Sequence, residues 1–246
     1  EDATAVVEEF LKTRSKVELH DSILAPALVL VVQDWREGAL SDQKRSYLFE
    51  AMENLVEAIH EDWKPPATPE MMAGMAVPGD AREAAPSGAH RRVVCLAAHD
   101  RADEVATRML SSVLEEAGYA SSVISGELLV GELIEKTAAM NAEAACVVAL
   151  QGAGRQHARV LSKRLRAQLP DLKTVILTWG GLTEAPPHRD ARMAAAADAM
   201  VKTATEMLER LKALGLPPLA TRTEAEGEPP TTTSPPPSAV MVGTAT

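Results

Sequence analysis

Through the first 62 residues, apolar positions recur at helical spacing. Ala3 to Leu11 predicts a short first helix. From Val17 to Trp35 the apolar residues are dense: Val17, Leu19, Ile23, Leu24, Leu28, Val31, Val32 and Trp35. That density predicts a helix buried on much of its circumference, with a kink or break at Pro26 and an end at Gly38. Ser41 is a good N-cap, with Asp42 in the first turn behind it. Leu48, Met52, Leu55 and Ile59 carry the next helix to about His60. Helices of this kind assemble into a small bundle, here residues 1–64.

The pattern changes at residue 65. Pro65-Pro66, Pro69, Pro78-Gly79 and Pro86-Ser87-Gly88 punctuate a polar stretch to His90, which reads as a linker. Met71, Met72 and Met75 would let part of it dock as a short helix. From residue 91 short apolar runs alternate with helical periods. Strands are expected at Val93–Ala98, Ala120–Ser125, Ala144–Leu150 and Thr174–Trp179, with a short fifth near Met200. Helices are expected at Ala102–Ala117, Leu129–Met140, Arg155–Leu169 and Thr203–Leu214. Propensity alone would make Ala191–Leu214 one helix, but Asp198 and Val201 interrupt it. The alternation predicts an α/β domain over residues 91–215, a flavodoxin-like five-stranded parallel sheet with helices on both faces. The Thr/Pro-rich stretch 216–246 cannot bury enough apolar surface to offset its ordering entropy, so a disordered tail is expected there.

Composition narrows the partners. The 246 residues carry 35 acidic and 25 basic side chains, a formal charge of −10. Nucleic acid and anionic lipid need clustered Lys/Arg, so neither is an expected partner. Aromatics are only 3%, so the core must be Ala, Val, Leu and Met. Cys95 and Cys146 both lie in apolar runs, which speaks against a disulfide scaffold and for a reducing cytosol. The longest apolar run, Ile23–Val32, is about half of the ~20 residues a membrane-spanning helix needs. The chain begins at Glu1 without Met, and a longer parent chain is expected.

The candidate chemistry centres on His99, at a strand-to-helix turn where open parallel sheets place ligands. The alternative is a solvated loop histidine beside Asp100 and Asp103. Cys95 and Cys146 read as buried inert thiols rather than metal ligands. Trp35 is either cofactor-facing or plain bundle core. Gly152-Ala153-Gly154 is a weak phosphate loop, because it follows strand three and lacks the third glycine of a dinucleotide fingerprint. Its plainer reading is a loop needing permissive backbone angles. A phosphoacceptor domain shares the fold class, and Asp100, Asp103, Thr178 and Lys202 suggest one. Strand three, however, ends Ala149-Leu150-Gln151 with no Asp to phosphorylate. No Gly-x-Ser-x-Gly elbow exists, so Ser-His-Asp hydrolysis has no support and no enzyme activity is expected.

Residues 15–214 resemble the cobalamin-binding module of methionine synthases and light-sensing repressors. Trp35-Arg36-Glu37-Gly38-Ala39-Leu40-Ser41 is similar to its helical cap. In its DxHxxG signature an Asp, a His and a Gly stand where this chain has Ala97, His99 and Ala102. The resemblance implies His99 as the lower axial cobalt ligand, next to Asp100, and Gly180-Gly181 as the glycine pair that admits the nucleotide tail. Ala97 removes the carboxylate that orients the histidine, a loss that typically costs 10–100-fold in metal affinity. Ala102 adds a methyl where the loop needs room. Ala149 stands near the family's Ser after strand three, and Arg45-Ser46 replace the Glu-His pair of the light sensors.

A nearer likeness is to the soluble C-terminal region of autoinducer-2 exporter family permeases. It rests on Glu9-Phe10-Leu11-Lys12, on Glu18-Leu19-His20-Asp21-Ser22-Ile23-Leu24-Ala25-Pro26-Ala27-Leu28 and on Gly38-Ala39-Leu40. It implies a membrane domain upstream of Glu1 and a cytoplasmic regulatory module tethered to the inner membrane. That module would be non-catalytic, with a corrinoid, another small molecule or a partner surface as its ligand. The alternative is a working cobalamin carrier or sensor that uses His99.

Overall fold

A computed structural model describes residues 3–61, 91–150, 153–179 and 187–218. The expected linker, including its three methionines, and the tail beyond residue 218 lie outside the described residues. The N-terminal part is helical: α1 (Ala3–Leu11), α2 (Lys16–Leu19), α3 (Ala25–Arg36) and α4 (Asp42–Glu61). Ser15 starts α2 with a reciprocal capping box, its hydroxyl taking the Glu18 N–H and the Glu18 carboxylate taking its own N–H. Gly38, at φ +79°, ends α3 as expected.

No break occurs at Pro26. Between α2 and α3 the chain makes one π-helical turn, His20–Leu24, in which the Ala25 N–H reaches the His20 carbonyl. Pro26 then falls in the first turn of α3. The irregular turn thus sits directly before the proline, whose missing N–H and ring disfavour a regular α-turn there. Burial is also one-sided: Leu19, Leu24, Leu28, Val29 and Val32 face inward, while Leu30 is exposed. On α4 the buried stripe is Phe49, Val56 and Ile59, with Leu48, Met52 and Leu55 half-buried beside it.

The second part alternates β1 (Arg92–Ala97), α5 (Arg101–Glu116), β2 (Ala120–Ile124), α6 (Val130–Ala139), β3 (Ala144–Val148), α7 (Ala153–Gln168), β4 (Lys173–Leu177), α8 (Pro187–Ala194), β5 (Ala199–Val201) and α9 (Ala204–Ala213). All strands are parallel, in the order β2-β1-β3-β4-β5. This is the doubly wound, flavodoxin-like arrangement expected. The fifth strand does interrupt the helical run of 191–214.

Alternate residues of each strand feed two cores. Val94, Leu96, Ala145, Val147 and Ile176 pack with α6, α7 and α8. Val93, Cys95, Cys146, Val175 and Leu177 pack with α5 and α9, and this core continues into the bundle through Leu19, Leu28, Val32, Phe49 and Val56. The bundle therefore forms a further layer on α5 and α9. Leu216, placed in the tail by its sequence, instead belongs to this core. It is buried, and its carbonyl accepts the Tyr119 hydroxyl at 2.8 Å.

Polar contacts fix where the bundle sits. Glu53 on α4 pairs with Arg101 on α5 at 3.0 Å, and His60 pairs with Glu115 at 3.1 Å. The densest contact is at Asp21, inside the π-turn. Its carboxylate accepts the Trp179 indole N–H at 2.8 Å, the Ala204 and Thr205 N–H groups at 2.7 and 3.1 Å, and the Thr205 hydroxyl at 2.7 Å. A carboxylate on the first N–H groups of α9 answers both the orphan donors and the helix dipole.

Asp21→Ala should therefore lower the unfolding free energy in urea by about 2–3 kcal/mol, and Asp21→Asn by less. A loss below about 0.5 kcal/mol, the size of an ordinary surface substitution, would mean the contact is incidental. Because the two halves share a core, a protease site inserted between residues 65 and 90 and cut to completion should leave them co-eluting on native gel filtration. Separate elution would show that the shared core does not hold them.

Candidate functional site

The strand order reverses between β1 and β3. Loops leaving their C-terminal ends diverge and open the crevice where doubly wound sheets bind ligands. His99 stands on the loop after β1 and is exposed. Across the crevice, His157 on α7 stacks on it, with ring centroids 4.2 Å apart and planes within 5°. The Ala153 carbonyl can only accept, so the 2.9 Å contact from His157 Nδ1 places a ring proton on Nδ1.

Asp100 is the N-cap of α5 and accepts the Asp103 N–H at 3.1 Å. Asp103, which the sequence places beside His99, is only 2% exposed. Its Oδ1 accepts the Leu150 N–H at 2.8 Å, which ties the start of α5 to the end of β3. Its Oδ2 is buried with no hydrogen-bond partner among the described residues. Burial, then the nearby Asp100 charge, pushes this carboxyl up to about 7, against the pull of its backbone hydrogen bonds and of Arg36.

Gly154 explains how the group fits. A Cβ there would stand 2.5 Å from Asp103 Oδ2. The glycine lies within α7, so it supplies space and not the permissive backbone angles expected of a loop.

The other signature positions are closed. Ala97 ends β1 and is 1% exposed; its carbonyl oxygen and Cβ would lie 3.0 and 3.4 Å from a Cβ at Gly126. Ala102 does not crowd a loop. It lies in the first turn of α5 and packs into the core shared with the bundle. Trp35 is partly exposed at the corner between α3 and α4. There its indole donates to Asp42 at 2.9 Å and Arg45 covers its ring at 3.9 Å. Gly152, Gly180 and Gly181 lie outside the described residues. Trp179 just precedes that glycine pair, and it is fully buried against His20 and Asp21.

Cys95 and Cys146 are register partners on β1 and β3, wholly buried, with the Cys146 sulfur 3.6 Å from that of Met207. The Cys95 contact and burial hold the Cys146 thiol well above its ordinary range, which suits an inert core thiol. No cluster of three His, Cys, Asp or Glu side chains fit to hold a metal occurs among the described residues. Nor does any helix among them have the length and apolarity to cross a membrane.

No family model and no curated protein matches the chain. Solved structures do. A monomethylamine corrinoid protein from Methanosarcina barkeri superposes with a TM-score of 0.58 at 14% identity, over 86% of this chain and 90% of that one. The chain shares that protein's fold. A cobalamin-binding protein from Desulfitobacterium hafniense aligns over 86% of this chain and 92% of its own at 10% identity, with a TM-score of 0.42.

The fold is thus compatible with cobalamin, but the side chains of the signature fit it poorly. Among the described residues no carboxylate or carbonyl orients the His99 ring, the Ala97 position has no polar group, and the face of His99 is covered by His157.

Histidine stacking, Asp103 and Gly154 were not legible as a site. The one available signal for Asp103 was its place three residues after the Asp100 N-cap, on the side of the helix that faces the sheet.

Asp103 carries a pH signature. A carboxyl raised from 3.8 to about 7 on folding contributes stability that is full below 3.8 and lost as pH rises through about 7. Asp103→Asn keeps the Leu150 contact and cannot ionise. From pH 5 to pH 8 the variant should gain about 2 kcal/mol relative to the parent in urea unfolding at each pH. Parallel pH profiles would show that Asp103 is not buried as a neutral acid.

Proposed function

We propose that the chain is a non-catalytic regulatory module of a membrane permease of the autoinducer-2 exporter type, derived from a cobalamin-binding module whose ligand signature has eroded. The observation that carries this reading is the state of the signature on a corrinoid-protein fold. Two of its three positions, Ala97 and Ala102, are now apolar core, and the bundle is latched to α9 through Asp21. Signals would pass through the bundle, which precedes the sheet in sequence and shares its core. The module would face the cytoplasm, tethered through membrane helices encoded upstream of Glu1.

A second reading, a working cobalamin carrier, is favoured by one observation: the His99 ring is exposed at the mouth of the switch-point crevice. Titrating hydroxocobalamin into the parent chain and His99→Ala, followed by visible spectra after desalting, separates the two. The regulatory reading expects neither protein to retain colour. Retention by the parent that is lost in His99→Ala would establish the carrier. The permease link is tested by the coding sequence upstream of Glu1, where in-frame membrane-spanning segments are expected.

A further inference from the structure

A second concave site lies away from the crevice, at the seam between bundle and sheet. It is a groove of about 190 Å³ lined by Glu53, Val56, Glu57 and His60 of α4, by Arg108, Ser111, Ser112 and Glu115 of α5, and by Val123 of the edge strand β2. Most charges in it are already answered. Glu53 is held by Arg101 at 3.0 Å. Glu115 takes His60 on one oxygen at 3.1 Å and the Ser111 hydroxyl on the other at 3.3 Å. The Ser112 hydroxyl lies 3.4 Å from the other ring nitrogen of His60.

Two charges are left over. Glu57 on one wall and Arg108 on the other are exposed, and neither makes an ion pair or a hydrogen bond among the described residues. The groove also offers apolar surface, chiefly from Val123, which is 40% exposed.

One unanswered anion, one unanswered cation and an apolar wall define a ligand by complement. We infer that the α4–α5 groove is a binding site for a small zwitterion with a short apolar arm, of the α-amino acid class. The carboxylate of the ligand would take Arg108, whose planar guanidinium matches it bidentately. Its ammonium would take Glu57, and its apolar arm would cover Val123. A neutral analogue would leave both charges unanswered, and a singly charged one would leave one of them so.

Such a ligand bridges the bundle to the sheet domain. Its binding would therefore tighten the seam by mass action on the docked state, which suits a regulatory module. The inference does not rest on the corrinoid reading: the groove shares no lining residue with the crevice, so the cobalamin titration and the test below fail independently.

The test is calorimetric titration and thermal unfolding of the full chain with L-leucine, with isoamylamine, which lacks the carboxylate, and with isocaproate, which lacks the amine. L-Leucine should bind saturably and raise the midpoint of unfolding. Each single-charge analogue should bind about tenfold or more weakly, as should L-leucine to Arg108→Gln or Glu57→Gln, while Arg108→Lys should retain part of the affinity. Both substituted positions are solvent-exposed, so the variants should fold as the parent does. Absence of L-leucine binding would overturn the inference. So would equal binding of either analogue, or binding unchanged in the Gln variants.

Discussion

The densest polar contact between the helical bundle and the sheet domain is made by one carboxylate. Asp21 sits on the first N–H groups of α9 and takes the Trp179 indole as well. A helix that starts at the C-terminal edge of a parallel sheet presents unpaired donors and a positive dipole end, which is the usual address for an anionic ligand. In this chain an internal side chain holds that address. Asp21 lies within the π-turn at His20–Leu24. The same turn buries His20, whose Nδ1 binds the Lys16 carbonyl while Nε2 has no hydrogen-bond partner among the described residues. Burial pulls the imidazole below its usual range, against the Lys16 hydrogen bond and the Asp21 charge. A neutral, apolar-faced imidazole stacked near Trp179 is consistent with a seam that is packed rather than solvated.

A comparable substitution of protein for ligand occurs at the switch point. The loops after β1 and β3 must separate to make a crevice, and some group must hold them at a fixed spacing. Asp103 does so by accepting the Leu150 N–H, and Gly154 leaves it the space. Its cost is a carboxyl whose ionisation burial pushes up to about 7, with one oxygen unanswered among the described residues. Buried polar groups of this kind persist where they fix one geometry against alternatives. The stacked pair of His99 and His157 lies over the same opening, each ring carried on a loop or helix start that Asp103 positions.

What the sequence could and could not reveal divides along the range of the interaction. The strands, their alternation with helices, the glycine end at Gly38 and the N-cap at Ser41 are local, and each was legible from periodicity or from one residue type. The sheet class followed from the alternation. Asp21 to Ala204, Asp103 to Leu150 and His99 to His157 join residues that are 183, 47 and 58 positions apart. Nothing in a neighbouring residue marks them. Pro26 marked the place of an irregularity, but not its form, a single π-turn just before it. Gly154 misled because glycine reports two needs, backbone freedom and space, and the sequence does not say which.

The erosion of the signature can be placed on the same physical ground. A ligand-binding loop keeps polar and small residues because the ligand completes their hydrogen bonds and fills their space. Without a ligand, a buried Asp at position 97 would be an unpaired charge in a strand end that is 1% exposed, and a Gly at position 102 would leave the first turn of α5 less helical and less packed. Alanine relieves both burdens at once. The substitutions that weaken a corrinoid site are therefore also those that stabilise the empty one. The bundle packs directly on α5 and α9, and one core runs continuously from Leu28 to Leu177. The seam between α4 and α5 keeps a groove with Glu57 on one element and Arg108 on the other, so a ligand held there would change how tightly the bundle is held.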